Sequence, residues 1–360
     1  MARPTMAHIA AATGVSVATV SRALNQATAD SLRPETVSRI RRAADELGYE
    51  VNLVARGLRR QRSATLGMLV PDLTNPFMPP VVRAIENALG ASDYTLVVSN
   101  TDNDPARERV VIRAMLARQV EGLLLATARL DPDWRPATPP DLPVVLINRG
   151  SGLPLPSVVP DDTGGVERVV AHLLELGHRR LGHVAGPPEI STGRNRARAF
   201  LAVTAASGVA SPADVETTRR LTVDEGHRAA GALLRRRPDL TALVAANDLV
   251  AVGCLRALRE LGRRVPDDVS LTGFNDMQFV DLLDPPLTTV RIDHERLGSV
   301  AANVLLAQLT ARDATSVAEG VTSADQDGTS ADQDATPTAV HTVETHLLVR
   351  ASTAAPPAVP

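Results

Sequence analysis

The sequence predicts an α/β protein in which a small all-helical head precedes a body of two doubly wound parallel sheets. Three observations carry this. The first 48 residues show short helical patterns separated by cap and turn residues. From Thr65 onward, brief apolar runs alternate with amphipathic stretches, as in βαβ units. The alternation breaks near Val158–Asp162 and then restarts, which divides the body into two halves. At 360 residues the chain exceeds one ordinary core, and its hydrophobic fraction of 44% suffices for several. With 2% aromatics, those cores must be built from Val, Leu, Ile and Ala.

In the head, Thr5 caps a first helix bearing Ile9, Ala10 and Ala11, and Gly14 stands where a positive φ lets the chain turn sharply. Ser16 caps a second helix, Val17 to Asn25, with Val20 inward and Val17, Ala18, Thr19, Ser21 and Arg22 outward. A third helix starts at Pro34, carries Val37, Ile40, Ala44 and Leu47 at helical spacing, and stops at Gly48. This is helix-turn-helix grammar, with a plain three-helix bundle as the bland alternative. Charge favours the former. Residues 1–62 hold ten arginines against five acids, and the remainder 28 against 36, so a basic head of +5 sits on a body of −8. A solvated helical face would carry such charge too. There is no lysine, so every fixed side-chain cation is a guanidinium suited to bidentate phosphate or guanine contacts, although codon bias gives the same composition.

In the body, TLGMLV, TLVVSN, GLLLAT and PVVLIN read as strands, with helices over Val81–Leu89 and Arg107–Arg118 between them. A helix at Val166–Leu176 opens the second half, followed by strands RLGHVA, ALVAAN and VSLTGF and helices at Arg194–Ala206, Asp224–Arg236 and Leu249–Leu261. Two Rossmann-like sheets facing a cleft result, and ligands of such sheets bind outside the carboxyl ends of the strands.

Several functions are excluded. The single cysteine, Cys254, rules out an intramolecular disulfide, suits a reducing cytoplasm, and falls in a helical apolar pattern where a small buried hydrophobe is the ordinary use. No apolar run approaches the ~20 residues of a membrane span. His8, Thr13, Gly14 and Ser16 interrupt any signal-peptide core, so the N-terminus reads as part of the fold. Nucleotide, hydrolase and zinc-protease motifs are missing, so no enzyme is expected and no cofactor. His172, His178 and His183 lack partner carboxylates or thiols. Helix capping by His178 fits better than a metal.

The string TMAHIAAATGVSVATVSRALN closely resembles the start of the lactose repressor (LacI/GalR) family, and ELGYEVNLVARGL resembles that family's hinge. The likeness runs on through PDLTNPF, LGHRRLGHVAGP, AANDLVAVGCLRALRELG, VPDDVSLTGFND, PPLTTVRID and LLVRAST. It implies a helix-turn-helix head and a two-lobed periplasmic-binding-protein-like body. Position by position, it puts Val17, Ala18 and Arg22 nearest base edges, with Arg22 the hydrogen-bonding reader and the other two limited to apolar contact. Thr5, Ser16, Thr19, Ser21 and Asn25 would hold phosphates. His8 stands where the family usually has an acid after the Thr5 cap, so the first helix is expected to be less well capped. The hinge, supported by Asn52, Ala55 and Arg56, would fold on operator and wedge Leu58 into the minor groove. Val51 replaces the usual proline there, and Gly57 lowers helix propensity by ~1 kcal/mol. Arg59, Arg60 and Arg62 serve as phosphate contacts or linker charge.

For the effector cleft the resemblance implies Asn75, Phe77, Asn148, Arg194, Leu221, Asn247, Asp248, Asn275 and Ile292, with Arg194 on a hydroxyl pair or carboxylate. Asn247-Asp248 reads equally as a helix N-cap. Asn148 and Asn275 stand where sugar-responsive relatives often have aspartates, and Leu221 where many have a stacking aromatic. A neutral or mildly anionic ligand, a sugar or related metabolite, suits this cleft better than a cation. The expected divisions are a head at 1–48, a hinge at 49–62, a first lobe at 63–160 with 292–310, and a second lobe at 161–291 with 341–353. The doubled TSADQD makes 311–340 a disordered insertion. A homodimer on a palindromic DNA operator is expected, and the absence of a C-terminal leucine heptad gives no tetramerising tail. The alternatives are a sugar-binding protein with no DNA role and, behind it, a nucleotide-dependent α/β enzyme.

Overall fold

The computed structural model describes residues 4–24, 29–49, 63–90, 92–131, 138–209, 211–322 and 339–357. The chain forms two units, residues 1–63 and 64–360. In the first, helices α1 (Met6–Thr13), α2 (Val17–Ala23) and α3 (Pro34–Glu46) close over Ile9, Val20, Ala23, Val37 and Ile40. Gly14 ends α1 at φ +68°, a conformation that costs glycine little and turns the chain into α2. The cap on α1 is better than the sequence suggests. His8 substitutes for the expected acid, its ring Nδ1 accepting the Thr5 backbone N–H at 3.3 Å.

Among the described residues the body holds two six-stranded sheets. In the first, β1 (Thr65–Val70), β2 (Thr95–Asn100), β3 (Gly122–Leu125), β4 (Val144–Ile147), β5 (Ser157–Pro160) and β11 (Val340–Val343) stand in the order β11-β5-β4-β3-β1-β2, all parallel. The second comprises β6 (Leu181–Ala185), β7 (Val215–Thr217), β8 (Ala242–Ala245), β9 (Ser270–Asn275), β10 (Thr288–Ile292) and β12 (Thr345–Leu348), in the order β12-β10-β9-β8-β6-β7. Only β12 runs antiparallel. The central strands β3, β4 and β8 are apolar along their whole length because helices cover both faces.

Helices α4 (Met78–Leu89) and α5 (Pro105–Ala117) flank the first sheet. The second is flanked by α6 (Asp162–Glu175), α7 (Ser191–Ser207), α8 (Val223–Arg236) and α9 (Asp248–Glu260). Helix α10 (His294–Thr322) leaves the second sheet after β10 and packs on α4 and the first sheet through Leu297, Ala301, Leu305 and Leu309. Residues 311–322, expected in a disordered insertion, continue this helix, and Arg312 donates to the Glu121 carbonyl at 3.3 Å. Residues 323–338 of that insertion lie outside the described residues. Residues 341–353, expected together in the second lobe, divide: β11 pairs with Ser157–Pro160 of the first sheet before the chain crosses to β12. Among the described residues no helix is long and apolar enough to cross a membrane.

Candidate functional site

On the head, α2 buries Val20 and Ala23 and leaves Val17, Ala18 and Arg22 exposed along one side. Val17 is 46% exposed, unusual for an apolar side chain in so small a unit, where every burial adds stability. The Ser16 hydroxyl accepts from Thr19 N–H at 3.2 Å and meets the Thr19 hydroxyl at 2.9 Å, which fixes the start of the helix. Thr5 is exposed at the start of α1, while Ser21 is half-buried. Asn25, Asn52, Ala55, Arg56 and Leu58 lie outside the described residues.

Within the body, the loops leaving the carboxyl ends of the two sheets face each other around a cavity of about 200 Å³. The first lobe supplies Asp72 and Asn75 after β1, Asn103 after β2, Arg129 after β3 and Arg149 after β4. From the second come Glu189 and Ile190 after β6 and Arg219, Arg220, Leu221 and Thr222 after β7. Side chains that answer their own backbone shape these loops: Asp72 accepts the Thr74 N–H at 2.8 Å, and Asn75 the Phe77 N–H at 3.1 Å. The lobes are bolted along one edge. Leu130 N–H donates to the Glu189 carbonyl at 3.0 Å, Gly150 N–H to the Ser191 hydroxyl at 2.9 Å, and Arg129 meets Glu189 at 3.5 Å.

Of the effector residues expected from sequence, Asn75 and Leu221 line this cavity. Asn148 precedes the lining Arg149, with φ +64° and a buried Oδ1 that has no partner among the described residues. Phe77 is buried edge-on against His294, 4.9 Å between centroids. Arg194 is exposed on α7 and does not line the cavity. Two residues on, Arg196 is the buried arginine. It donates to Asp162 at 2.8 Å and to the Ala246 carbonyl at 2.7 Å, and lies 3.6 Å over the Phe274 ring. Asn247 caps α9, accepting from Val250 N–H at 2.9 Å. Asp248 is fully buried, accepting from Met277 N–H at 2.8 Å and the Thr289 hydroxyl at 2.5 Å. Burial pushes its carboxyl up to about 7. Asn275 and Ile292 are buried at the ends of β9 and β10.

Sequence reasoning missed the charged lining. Arg129 and Arg149 follow the strand runs GLLLAT and PVVLIN by two residues or fewer, so the rule that ligands gather at carboxyl ends could have found them. Arg149 is 6% exposed, and its Nη1 donates to Asn103 Oδ1 at 3.2 Å. Burial pulls its pKa down to about 10, although Glu108 works the other way. Among the described residues its Nε is a buried polar atom without a partner, as are Asn148 Oδ1, Thr192 Oγ1 and His294 Nε2. Such atoms cost free energy unless something bonds them. His178 joins Thr241, Ser270 and the Ala354 carbonyl at 2.8–3.0 Å, a wider role than the helix cap expected of it. Among the described residues no group of side chains could hold a metal.

A helix-turn-helix head on a two-lobed ligand-binding body defines the class of allosteric DNA-binding regulators. Residues 5–52 match the model for bacterial regulatory proteins of the lacI family, and residues 170–353 that for a periplasmic-binding-protein-like domain. The ribose operon repressor of Halalkalibacterium halodurans is 32% identical over 305 residues, covering 85% of this chain and 90% of the relative. Among solved structures, a lac repressor dimer bound to operator and an anti-inducer is 25% identical with a TM-score of 0.80 over 98% of this chain and all of that one. A CelR–cellobiose complex is 28% identical with a TM-score of 0.70 over 97% and all of the respective chains. The chain belongs to the LacI family of transcriptional regulators.

Proposed function

We propose that this protein is a cytoplasmic transcriptional repressor that binds a palindromic operator as a homodimer and is controlled by a polar metabolite, a sugar or related compound, in the inter-lobe cavity. The observation that carries it is the pairing, in one chain, of an exposed reading face on α2 with a cavity between two lobes that is lined by polar side chains, among them the buried Arg149, whose Nε has no partner among the described residues. Arg22 reads base edges and Val17 and Ala18 pack against them, while Thr5, Ser16, Thr19, Ser21 and Asn25 set the register on phosphates. Leu58 wedges the minor groove, supported by Asn52, Ala55 and Arg56. Asn75 in the cavity and Asn148, the neighbour of the lining Arg149, bond ligand hydroxyls, and Leu221 supplies an apolar wall. Exposed Phe279 and Leu282 on the second lobe, with Leu73 and Val97 on the first, give a twofold partner apolar surface to cover.

A thermal-shift screen of sugars, sugar phosphates and purines, followed by fluorescence anisotropy on operator DNA, tests this. A compound that stabilises the protein should change operator affinity, and Leu221→Trp, which fills the cavity, should abolish both effects. Stabilising compounds that leave operator affinity untouched would refute the regulatory reading.

A further inference from the structure

We propose that the effector is an anion, a carboxylate or phosphate carried on a hydroxylated metabolite, gripped between Arg149 and Arg129 of the first lobe and Arg220 of the second. This rests on the reading of the inter-lobe cavity as the effector site. The cavity is lined by four guanidinium groups against two carboxylates, Asp72 and Glu189, and the buried Glu108 carboxylate stands behind Arg149 as a third. Neither lining carboxylate is idle: Asp72 accepts from the Thr74 backbone and hydroxyl, and Glu189 faces Arg129 at 3.5 Å. Arg220 has no ion pair among the described residues and is exposed toward the cavity mouth.

Arg149 supplies the second, independent observation. It is sealed from solvent to 6%, one edge rests on a neutral amide, and the Nε edge has no acceptor among the described residues. A buried cation is tolerated when acceptors replace its water, and the planar guanidinium fork fits the paired oxygens of a carboxylate or phosphate. A neutral sugar offers hydroxyls but no charge to meet Arg220, the lining guanidinium without an ion pair among the described residues. An anion also explains why cations come from both lobes, since one group held from each side draws the lobes together. The hydroxylated part falls to Asn75 and Asn148, which cannot repel an anion as aspartates would.

The test uses the full chain and four probes by calorimetry: glucose, glucose 6-phosphate, glucuronate and inorganic phosphate. At least one charged sugar should bind tenfold or more tightly than glucose, and whichever does so identifies the anionic group. Raising salt from 50 to 300 mM should weaken it severalfold while leaving glucose unmoved. Arg149→Gln and Arg220→Gln should each erase most of that preference and Arg149→Lys retain part of it. The exposed Arg220 carries the test should Arg149→Gln misfold. Glucose binding as tightly as both charged sugars, and lost in Leu221→Trp, would overturn the charge inference while leaving the cavity as the effector site. Anion binding that survives Leu221→Trp and both glutamine variants would lie elsewhere, on the basic head for instance, and overturn both. Binding of none of the four probes at millimolar concentration overturns the inference.

Discussion

Replacing Asp248 with asparagine isolates one buried carboxyl whose titration the structure dictates. Its two oxygens face a backbone N–H and a threonine hydroxyl, with no cation in contact among the described residues, and burial raises its pKa to about 7. In the unfolded chain it titrates near 3.8. Between these values the native state holds a proton that the unfolded state has released, so stability is greatest below the unfolded pKa and falls as pH rises through 7. Each pH unit in that window is worth about 1.4 kcal/mol. Asparagine mimics the protonated acid: its amide nitrogen donates to the Thr289 hydroxyl and its oxygen accepts from Met277 N–H. Asp248→Asn should therefore gain stability over wild type by about 3 kcal/mol between pH 5 and pH 8, most of it before pH 7. Urea unfolding of both proteins across this range measures the difference. Taking it cancels His183, whose buried ring, pulled down to about 4, acts in the opposite direction by favouring the native state at higher pH. A pH-independent difference would refute the burial of Asp248. A loss of effector affinity with no change in the pH profile would return the carboxylate to the ligand.

Three further outcomes follow from the same structure and sequence. Gly253→Ala would place a methyl group 2.2 Å from the Val223 carbonyl and 2.5 Å from His227 N, both backbone, so α8 and α9 must separate at a cost of about 1–3 kcal/mol, read as a lower melting temperature of the body. Arg22→Ala should weaken operator binding by about 1–3 kcal/mol and relax its sequence preference, with effector affinity unchanged, as measured by anisotropy on matched and mismatched sites. Leu58→Ala should leave melting temperature and effector affinity near wild type yet reduce operator bending in a circular-permutation assay.

The parts of the fold legible in the sequence were those with strong periodicity and apolar content. TLGMLV and TLVVSN give β1 and β2 with their observed bounds, and Gly14 and Ser16 mark the turn into α2. The strand β7 escaped because Val-Glu-Thr is a three-residue edge with little to bury. β11 escaped because its pairing with β5 joins Val340 to Ser157, segments far apart in the chain, and no local pattern encodes that partner. The site divides in the same way. Asn75 and Leu221 could be placed by motif, whereas Arg149 faces the cavity through a strand end that alignment by motif passes over. Arg194 and Arg196 show the limit most plainly: helical phase alone decides which is buried on Asp162, and the sequence offers two arginines at almost the same place.

Selection of DNA by the full-length protein from a randomised duplex pool addresses most directly whether this chain is a dimeric, sequence-specific regulator. The enriched sequences should converge on an inverted repeat, two half-sites about a central flexible step, and bind with an affinity that falls steeply as salt is raised. Recovery of no consensus, or of a single half-site bound equally well without its repeat, would contradict it.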